Sequence, residues 1–437
     1  MEELTFENMI KSLQQGLDGL PDYRTGENTQ YRIKDGVLGA FGAFFTQCSS
    51  FLANQRNMKR RKGNSNAENL FGIGKIPCDN HIRNLLDALE PGLIYPLFQE
   101  IFNGLRTSGE LKKMRSYKEQ LLFAFDGTQY FSSQQIHCAN CSQRTLANDE
   151  TQYHHQVITP VIVQPGNSKV IALEPEFILP QDGHEKQDCE RAAIKRWIER
   201  HGTIYAEHQC TALGDDLYCC QPICERFVEA GFNFIMVCKP DSHVALYEWI
   251  DFLDKAGEVQ HLSFRHWNGR YAEKHHYRFA NVVPLRGGED AMKINWCEIT
   301  ITREEDEYQL YHNSFATNHS LTKENVISIV RDGRARWKIE NENNNVLKTK
   351  GYHLEHNFGH GNQYLASFLL TLNLLAFLFH TVFELLDTRY QAIRKELGPR
   401  QTFFNDLRAL LRYMVFDNWL HLLTYMMEGL ELKLDTS

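Results

Sequence analysis

Two short apolar runs that each lead to an aspartate constrain the fold of this chain more than any other feature. Residues 121–125 lead directly to Asp126, and residues 211–213 lead through a glycine to Asp215. An apolar run of this length that stops at a carboxylate is typical of a buried strand ending at the edge of a sheet. A third acid, Glu340, lies in a stretch predicted to be helical. Two strand ends and one helix can bring these three carboxylates together.

Clustered carboxylates predict a magnesium site. Mg²⁺ is a hard cation that takes oxygen ligands and keeps positions open for water and phosphate oxygens, and Mn²⁺ can substitute for it. Asp126, Asp215 and Glu340 are therefore the predicted metal ligands and catalytic residues of a phosphoryl transfer reaction on nucleic acid.

Other acids compete for the same role. Asp216 adjoins Asp215, but neighbouring residues at a strand end point to opposite faces, so only one of them should reach the metals. Glu342 lies about 200° further round an α-helix than Glu340, so it faces away if Glu340 faces inward. We therefore favour Asp215 and Glu340. Three further acids are interpreted as structural or solvated: Glu174, Glu176 and Asp188.

Composition indicates a large globular protein with local basic clusters. The 437 residues are 42% hydrophobic and 23% charged, which predicts a sizeable core and two or three domains. A formal net charge of −8 is unusual for a DNA-binding protein. Positive charge is nevertheless concentrated in residues 56–62 and 331–350, and a local basic stripe can contact phosphates on an acidic surface. Three cations of the first cluster are predicted DNA contacts: Arg60, Arg61 and Lys62.

Cysteine content and the start of the chain predict a cytoplasmic protein. Eleven cysteines, an odd number without framework spacing, indicate a reducing compartment. The first residues lack the basic start and the apolar run of an export signal. Residues 364–386 have the length of a membrane span but carry Ser367, Thr371, Asn373 and His380. We therefore expect a central buried helix of a soluble domain and no membrane.

Four sections differ in their hydrophobic pattern, and we interpret them as structural units. A helical N-terminal section is predicted to bind DNA ends, and a catalytic core follows in two parts separated by a β-rich insertion. Helices resume with Thr322 as the predicted N-cap. The boundaries are 1–118 for the N-terminal section, 119–257 for the first part of the core, 258–322 for the insertion, and 323–437 for the completion of the core and the helical C-terminal region.

The first part of the core predicts an α/β fold. Three strands, a helix, a strand, a helix and a strand follow one another, with residues 156–163 and 170–177 as the second and third strands. This order matches a ribonuclease H-like core, which is a mixed sheet flanked by helices. The first and fourth strands are neighbours in that layout, so Asp126 and Asp215 should lie side by side.

The residues around the three acids resemble a known family, the DDE transposases of bacterial insertion sequences. The resemblance is to the cut-and-paste branch with a β insertion between the second Asp and the Glu, and it covers most of residues 119–360. The motifs that carry it are Asp126-Gly-Thr, Gly214-Asp215 followed by Leu217-Tyr218, Thr317-Asn318, and Arg336-Trp-Lys-Ile-Glu340.

The chain departs from the family pattern at two positions. The family has a Tyr three residues before the Arg and a Lys seven residues after the Glu, where this chain has Gly333 and Leu347. Lys348 lies one position further on and can substitute for the missing Lys. The departures concern DNA-contacting residues and leave the acids unaffected.

The resemblance implies a transposase that uses a two-metal in-line displacement. One Mg²⁺ would be shared by Asp126 and Asp215, and the other by Asp126 and Glu340. Hydrolysis frees a 3′-OH, which then attacks the next strand, so one site can cut the ends of an element and join them to a target. Three cations are implied as contacts to DNA phosphates: Arg336, Lys338 and Lys348.

The resemblance also implies partners and leaves alternatives open. The expected partners are double-stranded DNA, as terminal inverted repeats and target, and a second copy of the chain in a homodimer on that DNA; the expected location is the bacterial cytoplasm at the nucleoid. Trp267 or Trp296 could hold a flipped base, although a core role is the stronger interpretation of both. The alternatives are a non-catalytic DNA-binding relative and a ribonuclease H-like nuclease that cuts without joining.

A possible second metal site begins at Cys138-Ala-Asn-Cys141 and continues at His154-His155. A Cys-x-x-Cys pair with a His 14 residues later has the residue types and spacing of a structural Zn²⁺ site. Cys138, Cys141 and His155 are the candidate ligands, and a fourth would come from His137 or His154. Reduced, unliganded cysteines are the stronger interpretation of this pattern.

Overall fold

The computed structural model of the chain describes residues 4–25, 29–58, 65–180 and 189–433. Four residues singled out in the sequence lie outside this part: Arg60, Arg61, Lys62 and Asp188. The α-helices of the described part are α1 (Phe6–Gly16), α2 (Ile33–Phe45), α3 (Phe51–Asn57), α4 (Asn66–Phe71), α5 (Asp79–Leu86), α6 (Tyr95–Thr107), α7 (Glu110–Lys113), α8 (Glu190–Trp197), α9 (Thr203–Ala206), α10 (Gln221–Glu229), α11 (Val244–Lys255), α12 (Val326–Arg334), α13 (Asn345–Thr349), α14 (Leu365–Leu386), α15 (Thr388–Leu397), α16 (Arg400–Tyr413) and α17 (Trp419–Gly429). The strands are β1 (Leu121–Ala124), β2 (Gly127–Ser133), β3 (Ser142–Thr145), β4 (Thr151–Ile158), β5 (Val161–Val163), β6 (Ile171–Ala172), β7 (Glu176–Ile178), β8 (Cys210–Gly214), β9 (Asn233–Val237), β10 (Gln260–Trp267), β11 (Ala272–Pro284), β12 (Lys293–Arg303) and β13 (Gln309–Thr317).

The strands of the described residues form two sheets. The larger has nine strands in the order β10-β11-β12-β13-β9-β8-β1-β5-β6, and the smaller has the order β2-β4-β3 with β7 paired to β4. The larger sheet is mixed, because β1, β8 and β9 run parallel while β5 and β13 run antiparallel to their neighbours. Helices α10 and α12 pack on it. The chain is therefore α/β with a mixed sheet flanked by helices, as predicted, and the first predicted strand pairs with the fourth.

Two predicted strands are each divided between the two sheets. Residues 156–163 divide at Pro160 into the end of β4 and the whole of β5, and residues 170–177 divide near Pro175 between β6 and β7. Proline has no N–H to donate to a ladder, so strand pairing stops at both positions. The prediction of one continuous strand in each region was wrong, because the chain passes from one sheet to the other there.

The β-rich insertion is continuous with the larger sheet. Strands β10 to β13 form an antiparallel meander, and β13 pairs with β9.

Of the two tryptophans considered for base stacking, Trp296 is fully buried, whereas Trp267 at the end of β10 is 63% exposed. The core interpretation is therefore confirmed for Trp296 and wrong for Trp267.

The helix after the insertion begins later than predicted. Its N-cap is Asn325, and α12 starts at the next residue. Thr322 still makes the local hydrogen bonds expected near a helix start, because its hydroxyl accepts from the Glu324 N–H at 3.3 Å and its own N–H donates to the Asn325 side chain at 2.9 Å. The predicted N-cap at Thr322 is thus one turn too early.

Helices from both ends of the chain share one core. Helices α1 and α2 pack on α14, and the ring centroid of Phe6 lies 4.3 Å from that of Trp419. Burial of such aromatic pairs is a large part of the apolar area removed from water. The sections 1–118 and 323–437 are therefore at opposite ends of the chain but joined in space.

Helix α14 is the one helix of the described residues that is long and apolar enough to cross a membrane. Of its most apolar window, 89% is buried inside the protein. Its polar side chains have partners there: Asn373 donates to the Tyr352 carbonyl at 2.8 Å, and the His380 ring bonds the Tyr352 hydroxyl at 2.6 Å. The prediction of a central buried helix is confirmed.

Candidate active site

Asp126 and Asp215 occupy equivalent positions on two neighbouring strands. Strands β1 and β8 are parallel and in register, with Ala124 opposite Leu213, and each aspartate comes two residues after this pair. The ladder continues to Phe125, whose N–H donates to the Leu213 carbonyl at 2.9 Å. Because parallel strands end at the same edge of a sheet, both carboxylates belong to that edge, as the sequence predicted.

Glu340 is carried by a π-helical turn, Ile339–Asn344, that lies between α12 and α13. Arg336 Nη2 donates to Glu340 Oε1 at 2.7 Å, so the two side chains share one face as predicted. The expected angle of about 200° between Glu340 and Glu342 was that of an α-helix, and it does not apply to a π-helical turn. Single π-helical turns are rare in proteins, but those that occur are often at functional sites.

A buried threonine connects the turn of Glu340 to the end of β1. The Thr159 N–H donates to the Asp126 carbonyl at 3.2 Å, and the Thr159 hydroxyl donates to Asn344 Oδ1 at 2.8 Å. Asn343 Nδ2 donates to the same hydroxyl at 3.2 Å. These bonds hold the Glu340 turn against the backbone of Asp126. No local pattern in the sequence indicates Thr159, since its partners are distant in the chain.

The pKa of Asp126 shows that the acids act on one another. It is raised from 3.8 to about 7, mainly because the carboxyl is buried. The neighbouring carboxylates Glu340, Asp215 and Glu190 raise this pKa further, and the Arg336 guanidinium opposes them. Asp126 is therefore the centre of a group of like charges that one arginine compensates only in part.

Glu190, at the first turn of α8, is a fourth acid of this site that the sequence analysis missed. The Tyr218 hydroxyl donates to Glu190 Oε2 at 3.1 Å, and burial raises the pKa of Glu190, with a contribution from Asp215. A methyl group added at Gly127 would lie 2.4 Å from the Glu190 carboxyl carbon, so glycine at this position gives the acid its space. The tight contact explains the glycine of the Asp126-Gly-Thr motif.

Asp216 is directed away from the other acids. Its Oδ1 accepts from the Lys239 N–H at 2.6 Å and lies 3.5 Å from His243 Nε2. Asp215 Oδ1 instead accepts from the Leu217 N–H at 2.9 Å. The two adjacent aspartates thus have separate surroundings, which supports the choice of Asp215.

Glu174 and Glu176 are buried and have the hydrogen-bond and ion-pair partners expected of structural acids. Glu174 accepts from the Tyr205 hydroxyl at 2.7 Å, and Glu176 pairs with Arg196 at 2.8 Å and with Arg200 at 2.9 Å. Both lie away from solvent at 0% and 3% exposure.

The three predicted cationic contacts of the described chain differ in availability. Arg336 Nη1 is buried and makes no hydrogen bond to the described residues. Lys348 pairs with Glu355 at 2.9 Å. Lys338 is only 5% exposed and its Nζ lies 4.8 Å from the centroid of the Trp337 ring, so its contact to a DNA phosphate stays a prediction.

The two departures from the family pattern have a packing reason. A methyl group at Gly333 would lie 2.8 Å from the Phe315 ring and 2.9 Å from Ile235, so a tyrosine has no space there. Leu347 is fully buried, and a lysine at that position would place an ammonium in the core. Both positions are therefore fixed by how α12 and α13 pack.

Two groups of possible metal ligands are compact in the described residues. In each group the donor atoms lie within 4.8 Å of one another: Cys138, Cys141, His155 and His360 in the first, and Cys219, Cys238 and His243 in the second. The acids at the sheet edge do not form such a compact group. This is expected, because like charges repel one another and Glu340 is paired with Arg336.

No family model matches the chain, and none of the curated proteins compared with it matches either.

Proposed function

We propose that this protein is a metal-dependent phosphoryl transferase acting on DNA, a transposase of the insertion-sequence type. The observation that carries the proposal is the meeting of Asp126 and Asp215, at equivalent ends of two parallel strands, with Glu340 on a turn bonded to the same backbone. Acids from three separate parts of the chain at one sheet edge are typical of a site for hard divalent cations.

The sheet supports a ribonuclease H-like core as the scaffold of this site. Strands β6-β5-β1-β8-β9 are contiguous, with β5 antiparallel and β8 and β9 parallel to β1. We propose that this part of the sheet is the catalytic core and that β10 to β13 are an insertion extending it. Ligands of open α/β sheets lie at the carboxyl ends of the parallel strands, where Asp126 and Asp215 are.

The residues fit magnesium. Carboxylate oxygens are the donors that Mg²⁺ prefers. Burial is the main cause of the raised pKa of Asp126, and the neighbouring carboxylates add a repulsion that a cation would relieve. Asp126, Asp215 and Glu340 would hold the ion, with Glu190 nearby. A bound divalent cation would stabilise charge on the attacked phosphate and activate the nucleophile. The free Nη1 of Arg336 would donate to a phosphate oxygen beside the acids.

A basic groove beside this site supports DNA as the substrate. It has a volume of about 520 Å³ between α12 and the insertion, and its mostly apolar lining includes the cations Arg331, Arg334 and Lys338 together with the exposed Trp337. A second groove of about 980 Å³ follows α13 and is lined by the cations Lys350, Arg400, Arg408 and Arg412. Local positive charge of this kind binds the phosphate backbone although the net charge of the chain is −8.

The decisive experiment is strand cleavage and joining with Mg²⁺ or Mn²⁺ on duplex DNA that carries the sequences flanking the gene. Asp126→Asn, Asp215→Asn and Glu340→Gln should bind this DNA and lose both reactions. The matched controls, Asp216→Asn and Glu342→Gln, should retain them. Wild type that binds DNA without cutting it would favour the non-catalytic relative, and cutting without joining would favour the nuclease.

A binding measurement tests the metal separately from catalysis. Added Mg²⁺ or Mn²⁺ should raise the melting temperature of wild-type protein at pH 8, because an ion that binds only the folded state stabilises it. The shift should be lost in Asp126→Asn and kept in Asp216→Asn. Equal shifts in both variants would contradict the assignment of these acids as ligands.

A further inference from the structure

The described structure brings two cysteines and two histidines together in a group separate from the acids. Cys138 and Cys141 lie between β2 and β3, His155 lies on β4, and His360 lies in the segment that precedes α14. The expected fourth partner was His137 or His154, but His360, 219 residues from Cys141, is the histidine in contact.

Four of the six separations between the donor atoms match the edges of a zinc tetrahedron, and the other two are within 4.8 Å. Zn–S bonds of about 2.3 Å and Zn–N bonds of about 2.0–2.1 Å imply S···S and S···N separations of about 3.8 and about 3.6 Å in tetrahedral geometry. Cys138 Sγ lies 3.9 Å from Cys141 Sγ and 3.6 Å from His155 Nε2. Cys141 Sγ lies 3.4 Å from His155 Nε2 and 3.5 Å from His360 Nε2.

The surroundings of these atoms are those of a closed site. Cys141, His155 and His360 are buried at 3%, 3% and 7% exposure. The Tyr130 ring stacks on His155 and the Phe131 ring packs on His360, at centroid distances of 5.5 and 4.3 Å. Cys138 is half-buried. Four protein donors fill the tetrahedral coordination of zinc, so no open position would remain for a substrate.

The loop between the two cysteines also directs a backbone N–H group at a sulfur atom. The Cys138 N–H donates to Cys141 Sγ at 3.5 Å, and the Cys141 N–H donates to the Cys138 carbonyl at 3.2 Å. Amide donors aimed at a sulfur favour its thiolate form, which is the form that binds metal. The sulfur atoms are too far apart for a disulfide, whose S–S bond is about 2.05 Å.

We infer that Cys138, Cys141, His155 and His360 bind one structural Zn²⁺ ion. Two thiolates and two imidazoles in a tetrahedral, closed arrangement select zinc over the hard cations expected at the acids. The inference is independent of the proposed function. It differs from the sequence-based preference for unliganded cysteines and adds His360 as the fourth ligand.

The position of His360 gives the ion a definite role. It would cross-link the smaller sheet, which begins directly after Asp126, to the segment between α13 and α14, which follows the turn of Glu340. One protein contact already spans this junction, a hydrogen bond from Asn140 Nδ2 to the Gln363 carbonyl at 2.7 Å. The ion would therefore hold together two parts of the chain that flank the acids.

The test is metal content and cobalt spectroscopy of the full-length protein. Protein purified from zinc-supplemented cells should contain about one Zn²⁺ per chain. Replacement by Co²⁺ should give the intense d–d bands of a tetrahedral site and a thiolate-to-cobalt charge-transfer band, which carboxylate sites do not show. Zinc-free wild type with no such spectrum after Co²⁺ addition would overturn the inference.

Variants assign the ligands. Cys138→Ser and His360→Gln should each lose most of the zinc and lower the melting temperature, while Asp126→Asn should keep the zinc. Two controls should keep it as well: His137→Ala, which removes the neighbouring exposed histidine, and Cys78→Ser, which removes a cysteine that contacts His81 at 3.1 Å. Loss of zinc from these controls, or its retention in His360→Gln, would contradict the ligand set.

Discussion

Arg336 uses one half of its guanidinium to hold Glu340 and leaves the other half free. Nη2 lies 2.7 Å from Glu340 Oε1, while Nη1 is buried and makes no hydrogen bond to the described residues. The same cation lowers the pKa of Asp126 against the effect of the neighbouring acids. Arg336 is thus shared between two acids of the proposed site and still has a donor for a phosphate.

Arg336→Gln should slow DNA cleavage by about 10²–10³-fold, the loss typical of removing one charged donor from a developing negative charge. DNA binding should change much less, because other cations line the grooves. The measurement is single-turnover cleavage with Mg²⁺ at saturating protein. Arg226→Gln is the matched control, since Arg226 also pairs with a helix glutamate, Glu229, at 3.4 Å. An equal loss in both variants would contradict a specific role.

Thr159→Val should weaken both stability and cleavage. The hydroxyl links Asn344 and Asn343 to the residue whose N–H bonds the Asp126 carbonyl, and its removal costs about 0.5–1.5 kcal/mol for each of the two lost hydrogen bonds. The bond from Asn343 Nδ2 to Asn344 Oδ1 at 3.1 Å remains. Denaturant unfolding and cleavage rates measure the two effects. Thr159→Ser keeps the hydroxyl and should recover the cleavage rate relative to Val. Equal rates in the two variants would show that the hydroxyl does not position Glu340.

Gly333→Ala should destabilise the fold by about 1–3 kcal/mol, because the added methyl group overlaps a packed core. The affected neighbours are the Phe315 ring at 2.8 Å and Ile235 at 2.9 Å. Gly429→Ala is the control, since Gly429 is also helical and a methyl group there has nothing within 4 Å. Thermal unfolding compares the two, and a neutral Gly333→Ala would mean that α12 can move away from the sheet.

Glu174→Gln should change how stability depends on pH. Burial raises the pKa of Glu174 from 4.5 to about 7. Between pH 4.5 and about 7 the Glu174 carboxyl is therefore protonated in the folded state and ionised in the unfolded chain. The contribution of Glu174 to stability is complete below pH 4.5 and is lost as the pH rises through 7. Gln keeps an acceptor for the Tyr205 hydroxyl and cannot ionise.

The free energy of unfolding of the Gln variant relative to wild type should rise by up to about 3 kcal/mol between pH 5 and pH 8. Of the groups that face Glu174, His201 has a pKa lowered to about 4 by burial and the pKa of Tyr205 is raised, so neither titrates in this window. Urea unfolding at a series of pH values gives the difference. Parallel profiles for the two proteins would contradict the raised pKa.

The sequence predicted features that depend on neighbours in the chain. The four strands of the insertion and the buried helix at residues 364–386 follow from the alternation or continuity of apolar residues, which burial requires directly. The spacing of Arg336 and Glu340 predicted a shared helix face because residues four apart are neighbours on a helix. It did not predict the π-helical turn, since no residue type marks one.

Contacts between distant segments were less predictable. Pro160 and Pro175 were treated as parts of continuous strands, although each is where the chain leaves one sheet for the other. Glu190 was not predicted to belong to the site, because a glutamate at a helix start is ordinary. The structure shows that its carboxyl group lies next to Gly127, so close that an added methyl group there would overlap it. His360 was overlooked because its partner is 219 residues away.

The amino-acid sequence by itself determined the α/β class, the pairing of the strands that lead to Asp126 and Asp215, and the burial of the long apolar helix. Each follows from which residues avoid water and in what order the elements occur. Only the tertiary structure decided which charges meet: Glu190 beside Asp126, Thr159 between Asp126 and Asn344, and His360 beside Cys141. Such contacts depend on how separate elements pack, and packing is a property of the whole chain that no local pattern contains.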